Sequence, residues 1–351
     1  MTMSNPAQVD AARADDQVAR ASVPSSGRRR STRLAALAGL AERYALLLLT
    51  VAIAGFFSVY PTSRASFATV ANLNVTLGTQ TAVALLALAA VFPLVAGHID
   101  FSLGATAATS MVLCAGLMSR HQMPLALAVV ICVLLGGLVG LVNGIAVTRF
   151  QMNPFVTTLG VGTLLGGIIQ WYTGGQTIFT GISKHLTDFG SLTLIGLPQV
   201  TFVVVGLGVV SWYVLTHTPY GRSLYAVGSN ERSARLVGLR VDRNVLIAFV
   251  GAGLLAGVAG VLQLSRTGSA TADTGTSLLF PALAAVFLGA TTVRPGFFNI
   301  GGALIGVLFV SVSVSGLTLS GASAWASPVF NGLALLVAVG LSTYLGRRSR
   351  A

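Results

Sequence analysis

Acidic side chains are scarce in this chain, nine in 351 residues, so their positions carry information. Asp100 stands in Val95-Ala96-Gly97-His98-Ile99-Asp100-Phe101-Ser102-Leu103-Gly104, between two apolar runs with almost no loop around it. An ionised Asp at a bilayer centre costs about 2.5–3.5 kcal/mol on insertion scales. It therefore either handles a proton or solute, or satisfies a backbone that needs a carboxylate. A second acidic residue, Glu231, opens Glu231-Arg232-Ser233-Ala234-Arg235-Leu236-Val237-Gly238 after Asn230, with charges and apolar residues interleaved. A third set is the amides Asn74, Gln80, Asn143, Gln170, Asn299 and Asn331, with Trp171, in or near apolar stretches. Amides and aromatic faces suit hydroxyl-rich solutes that must be bound weakly enough to release. Taken singly, each reads first as an interhelical hydrogen bond, worth about 0.6 kcal/mol on average, and only as a set do they mark a polar path.

Other chemistries lack their parts. A phosphate-binding loop needs a Lys, and the sole lysine is Lys184 in "GISKHLT". The four histidines are scattered with no metal-ligand spacing, and no Ser/His/Asp set or carboxylate pair converges, so no catalytic residue, cofactor or metal is expected. Cys114 and Cys132 read as small buried apolar residues. "GVGTLLGG" and "GAGLLAGVAG" follow no strand, which makes them candidates for close helix packing, not dinucleotide loops.

The elements that must hold these residues are membrane helices. The composition is 54% hydrophobic and 9% charged, with mean hydropathy +0.82, where soluble chains carry roughly 25% charged residues. The expected fold is all-α and polytopic, with spans near 44–60, 73–96, 101–118, 124–147, 155–172, 198–216, 245–264, 278–293, 297–317 and 327–345. That is about ten helices, several of them short for a bilayer, or eight or nine if a segment is re-entrant, and an inverted repeat is a possible organisation. Alternating from a cytosolic N-terminus places seventeen Lys and Arg on the cytosolic side and four (Arg64, Arg120, Lys184, Arg266) outside. Both termini come out cytosolic, and the net charge of +12 needs no nucleic acid to explain it. Residues 1–43 read as a disordered basic cytosolic tail with no signal-like apolar core, 44–346 as the transmembrane domain, and 347–351 as a basic cytosolic tail. The largest cytosolic loop, 217–244, should hold a short amphipathic helix capped by Ser229 or Asn230 and stopped at Gly238. Such a helix suits either a protein partner or anionic lipid headgroups.

At this loop the chain resembles a known family. "GSNERSARLVGLRV" is similar to the cytoplasmic coupling loop of ABC-importer permeases of the ribose/xylose-type monosaccharide group, in the branched-chain amino acid/ribose permease superfamily. Arg232 and Ser233 replace that group's small residues. "VAGHIDFSLGATAA" resembles its Gly-Gly-Ile-Asp-Leu-Ser-Val-Gly segment, with His98 and Phe101 in place of Gly and Leu. "VNGIAVTRFQMNPFVTTLG", "YGRSLYAVGSN" and "PALAAVFLGATTVRPGFFNIGGALIGVL" match further segments in order, although Pro281 stands where Asp is common. The resemblance covers roughly residues 70–345. It implies ATPase coupling through Asn230, Glu231, Arg232, Ser233, Ala234, Arg235 and Gly238. It also implies a cytosolic ABC ATPase, a second permease subunit and an extracytoplasmic sugar-binding protein as partners, in the bacterial inner membrane.

Two readings of function follow. One is the permease of an ATP-driven monosaccharide or polyol importer, with Asn74, Gln80, Asn143, Gln170, Trp171 and Asn299 along its translocation path. The other is an ion-coupled secondary transporter, which usually needs charges inside its spans, and here Asp100 is nearly alone. For Asp100 itself, a helix-break motif of Gly97, Asp100, Ser102 and Gly104 is expected. Its carboxylate would cap the N–H groups of the next helix, Gly97 would permit the turn and Ser102 would assist, with a direct solute or gating contact as the alternative.

Overall fold

The computed structural model describes residues 44–348, with side chains through 341; the predicted tail 1–43 and the last three residues of the predicted tail 347–351 lie outside the described residues. Each apolar interval of the sequence contains a helix. α1 (Tyr44–Val59) and the four-residue α2 (Arg64–Phe67) lead into α3 (Val70–Thr79) and α4 (Thr81–Val95). Next come α5 (Leu103–His121), α6 (Leu125–Thr148) and α7 (Pro154–Thr173). A short α8 (Lys184–Ser191) and a hairpin of β1 (Thr193–Leu194) and β2 (Leu197–Pro198) precede α9 (Gln199–His217). α10 (Pro219–Ser229) and α11 (Glu231–Leu236) fill the connection to α12 (Val241–Thr267), and α13 (Thr274–Gly289), α14 (Ile300–Leu319) and α15 (Ala326–Arg348) follow.

Among the described residues five helices, α6, α7, α9, α12 and α14, are long and apolar enough to cross a membrane, and the pair α3–α4 makes a sixth if counted as one broken span. The span expected over 73–96 is not continuous: α3 and α4 meet at 45° around Gln80. A tertiary contact lies beside the bend. Arg266 lies against Gly78, where a Cβ would come within 2.7 Å of its Cζ. Its Nη1 donates to the Gly190 carbonyl at 2.7 Å, which holds the guanidinium in place.

α4 is the centre of the bundle. Its sequence, TAVALLALAAVFPLV, is apolar on every face, and all fifteen residues are buried. α12 packs along α4, α5 and α6. Its crossing with α6 is close because glycine meets glycine: a Cβ on Gly136 would lie 3.0 Å from the Gly257 Cα, and one on Gly253 3.0 Å from the Gly136 carbonyl carbon. "GAGLLAGVAG" therefore packs helices as expected. "GVGTLLGG" differs, since Gly160, Gly166 and Gly167 have nothing within 4 Å of an added Cβ. The two-residue hairpin turn has positive φ at Ile195 and Gly196, the backbone that two-residue hairpin loops require.

Candidate functional site

The segment around Glu231 is built from local signals. Asn230, extended at φ −157°, accepts the Ser233 N–H on its side-chain oxygen at 3.0 Å and opens α11. Val237 is the C-cap, and Gly238 follows at φ +82°. The Gly238 N–H donates to Arg235 O at 3.1 Å and the Leu239 N–H to Ala234 O at 3.0 Å, the paired bonds of a Schellman stop. Ala234 is buried, whereas Leu236 and Val237 are 88% and 77% exposed. Arg235 reaches Asp242 Oδ1 at 2.6 Å and Glu231 Oε1 at 3.0 Å, and these carboxylates, Asp242 first, hold its guanidinium above its ordinary value. Both pairs are exposed, so they orient the segment more than they stabilise it.

The single amphipathic helix expected in 217–244 is in fact the second of two. α10 starts at Thr218-Pro219, where Thr218 Oγ1 accepts the Gly221 N–H at 3.2 Å and Pro occupies the first helical turn. That Thr-Pro signal was present in the sequence. α10 buries Gly221, Leu224 and Val227. Tyr225 donates to Phe298 O at 2.8 Å and Tyr220 to Asn244 O at 3.3 Å. At its end Gly228 fits against α4, where a Cβ would come within 2.9 Å of the Val95 carbonyl carbon.

The helix break uses the same stop. Gly97 has φ +87°, its N–H donates to Leu94 O at 3.0 Å, and the His98 N–H donates to Pro93 O at 2.9 Å. Asp100, 2% exposed, accepts the Ser102 N–H at 2.8 Å and the Ser102 hydroxyl at 2.6 Å on one carboxylate oxygen. Ser102 itself is the N-cap of α5, with no side-chain bond into the helix. Asn143, fully buried on α6, donates to Ser102 Oγ at 2.8 Å, and the Phe101 N–H donates to Thr158 Oγ1 on α7 at 3.0 Å. Asp100 thus orders Ser102, and Ser102 ties the break to α6. Gly104 sits against α13, where a Cβ would come within 2.8 Å of the Leu279 Cβ.

A cavity of about 580 Å³ lies between α5, α7 and the start of α13, with Phe101, Thr163, Gln170, Asp273, Thr276 and Phe280 in its lining. Of the predicted path residues, Gln170 lines it. Asn74 lies within α3 and Gln80 at the α3–α4 bend, each with a buried side-chain oxygen that lacks a partner, as has Asn331 on α15. Asn143 belongs to the break. Trp171 is 82% exposed. Asn299 is the N-cap of α14, accepting the Gly302 N–H at 2.7 Å. The cavity residues Thr163, Thr276 and Phe280 carried no sequence signal, and Phe101 stood out only as a departure from the family segment, because the four come from two separate helices and a loop.

A second cavity, about 330 Å³, opens beside α11 and is lined by His98, Thr148, Asn153, Glu231, Arg235 and Asp242 among others. His98 stacks on Phe249 of α12 with ring centroids 6.2 Å apart. Burial holds its imidazole below the ordinary value, and the charge of Glu231 opposes that shift.

Residues 72–339 match the family model described as branched-chain amino acid transport system / permease component. The ribose import permease protein RbsC of Haemophilus influenzae is 31% identical over 88% of this chain and 95% of its own length. RbsC of Bacillus subtilis is 36% identical over 73% of this chain and 79% of its own. The autoinducer 2 import system permease protein LsrD of Yersinia enterocolitica is 33% identical over 76% and 82%. No solved structure matches. The matched region holds the break, the bent span and α11 together. The chain therefore belongs to the branched-chain amino acid transport system / permease component family and is the inner-membrane permease subunit of an ABC importer, with ATP hydrolysis left to a separate subunit.

Proposed function

We propose that the chain carries ribose or a monosaccharide of similar size through about ten spans, with both termini in the cytosol. The observation that carries this reading is the likeness to ribose import permeases over about nine-tenths of the chain. The autoinducer 2 permeases among the relatives support a second reading, a compact sugar-like signal carried by the same route. In the assembled importer, α11 docks on a cytosolic ABC ATPase through its exposed Leu236 and Val237, a second permease copy or paralogue completes the pathway, and an extracytoplasmic binding protein delivers the sugar. Gly97, Asp100, Ser102 and Gly104 hold the break through which motion of the coupling segment reaches the spans.

Such coupling needs contacts that differ between the outward- and inward-open states. Exposed apolar side chains on a short capped helix meet that need, because docking buries them only when the partner is in place. The test is uptake of labelled ribose by membranes carrying the whole importer. Glu231→Lys or Gly238→Asp abolishes uptake with insertion intact. Uptake driven by a proton gradient without ATP would overturn the reading in favour of the ion-coupled one.

A further inference from the structure

The connection 96–102 faces two cavities at once. On one side Phe101 forms part of the wall of the 580 Å³ cavity, its ring edge-on to Phe155 at 5.2 Å between centroids and 79° between planes. On the other side, three residues back, His98 lines the 330 Å³ cavity that Glu231, Arg235 and Asp242 also line. Phe155 reaches the larger cavity only through its contact with Phe101, but its segment is attached to the second one. It sits in the first turn of α7, directly after Asn153 and Pro154, which line the second cavity too. Each ring of the pair is therefore borne on a segment that also lines the cavity beside the coupling helix.

The two segments are built to transmit displacement. Gly97, left-handed, turns the chain at the start of the break, and its N–H and that of His98 are bonded back to α4. From Asp100 to Ser102 the backbone is stiff, held by the Asp100–Ser102 bonds, by Asn143 on α6 and by the Phe101 N–H on Thr158 of α7. Asn153 caps α7 through bonds from the Phe155 and Val156 N–H groups, so Phe155 moves with Asn153. A connection held by hydrogen bonds from Gly97 through Ser102 moves as one piece, so a push at His98 displaces Phe101.

We propose that the Phe101–Phe155 ring pair is the inner gate of the solute path, and that His98 is the positioning residue through which α11 moves it. The proposal rests on the sugar-permease reading above. His98 is held by its stacking on Phe249 of the long α12 and faces Glu231, with Arg235 and Asp242 as the other charged groups in its cavity. When the ATPase draws α11 away, the wall that His98 and Asn153–Pro154 share with it is displaced, the Phe101 N–H bond to Thr158 of α7 opens, and the two rings part.

The experiment uses the complete importer in proteoliposomes. Preloaded with labelled ribose and without ATP, Phe101→Ala and Phe155→Ala each raise passive efflux at least tenfold. Phe101→Leu, which refills the space, leaves efflux near wild type, and the double alanine variant leaks no more than the leakier single. His98→Ala cuts ATP-driven uptake at least tenfold while binding-protein-stimulated ATPase stays within twofold, and His98→Gln restores part of the uptake. A readout that needs no solute is crosslinking of Phe101→Cys/Phe155→Cys by a short bis-methanethiosulfonate, native Cys114 and Cys132 being buried. Its yield falls at least fivefold on ATP–vanadate trapping, and in the His98→Ala background it no longer responds. Efflux unchanged in both alanine variants, crosslinking indifferent to nucleotide, or uptake and ATPase falling in parallel in His98→Ala would each overturn the proposal. Absence of ribose transport by the wild type would instead count against the sugar assignment, with the crosslinking result still deciding the gate.

Discussion

Replacing Gly228 by Ala adds one carbon where α10 meets the end of α4. That carbon would sit 2.9 Å from the Val95 carbonyl carbon, with the carbonyl oxygen nearer still. Ordinary carbon–carbon contact is about 3.5–4.0 Å, so the two backbones must separate by roughly 1 Å. Neither side has a flexible side chain to swing away. Overpacking of this kind costs about 1–3 kcal/mol, which shifts a docked-to-undocked equilibrium by roughly 5–150-fold. α10 carries α11 at its end, so the undocked state withdraws Glu231–Leu236 from the body of the permease. The assay is trypsin cleavage of inside-out vesicles at the arginines of this region, Arg222, Arg232, Arg235, Arg240 and Arg243, in parallel with ribose uptake by the full importer. Cleavage should quicken within the 5–150-fold range and uptake should fall, with insertion unchanged. Gly238→Ala is the control, because nothing lies within 4 Å of its Cβ position. Its penalty is the left-handed φ of +82°, about 1–2 kcal/mol, which frays the end of α11 without displacing α10. A Gly228→Ala variant with cleavage and uptake both within twofold of wild type would refute the claim that this contact docks the coupling segment.

Asn143→Leu removes the donor to Ser102 from a fully buried site and should cost about 1–3 kcal/mol, read as a fall of several degrees in the melting temperature in detergent. Asp100→Asn keeps one side-chain oxygen for the Ser102 N–H, so it should retain measurable uptake, whereas Asp100→Ala, which loses both bonds, should lose far more. Equal loss in the two would point to a requirement for charge instead of for the hydrogen bonds. The His98 imidazole is held below its ordinary value of 6.5 in the fold, so as pH drops the unfolded chain binds a proton first. Stability should therefore be full above about pH 6.5 and decline on acidification toward the lower folded value, until the folded protein is protonated as well. In His98→Gln the melting-temperature difference between pH 7.5 and pH 5.5 should shrink, and an unchanged difference would assign the acid sensitivity elsewhere.

The parts of this molecule that were readable in its sequence are those governed by neighbours along the chain. Asn230 and Gly238 bracket α11 because an N-cap and a left-handed stop act over three or four residues, and both residue types announce their role. Thr218-Pro219 announced α10 in the same terms, yet a single helix was expected where the loop holds two. The bend at Gln80 has no proline to announce it, and the close contact beside it, Arg266 against Gly78, joins residues far apart along the chain. The pairing of Asn143 with Ser102 spans 41 residues, and an amide in an apolar run looks the same whether it bonds a neighbouring helix, caps one as Asn299 does, or meets a solute. α4 and α9 are both strongly apolar, yet α4 is buried on all sides and α9 is largely exposed. Composition cannot separate them, because lipid and protein interior are equally apolar to a Leu side chain.

That burial has a consequence for how the protein is made. A helix enclosed on every face by its own chain has no lipid contacts in the finished molecule, yet α4 is synthesised early. Its main covering partner, α12, begins roughly 150 residues later, which at about 5–20 residues per second is on the order of 10–30 s of translation. During that interval Thr81–Val95 must wait in the bilayer with its future contact surface bare. Its uniform apolarity makes the wait harmless, and the polar side chains that later fix the register of the break, Asp100, Ser102 and Asn143, all lie outside it. The most enclosed helix of the permease is thus also one that lipid can hold unaided until the rest of the chain arrives.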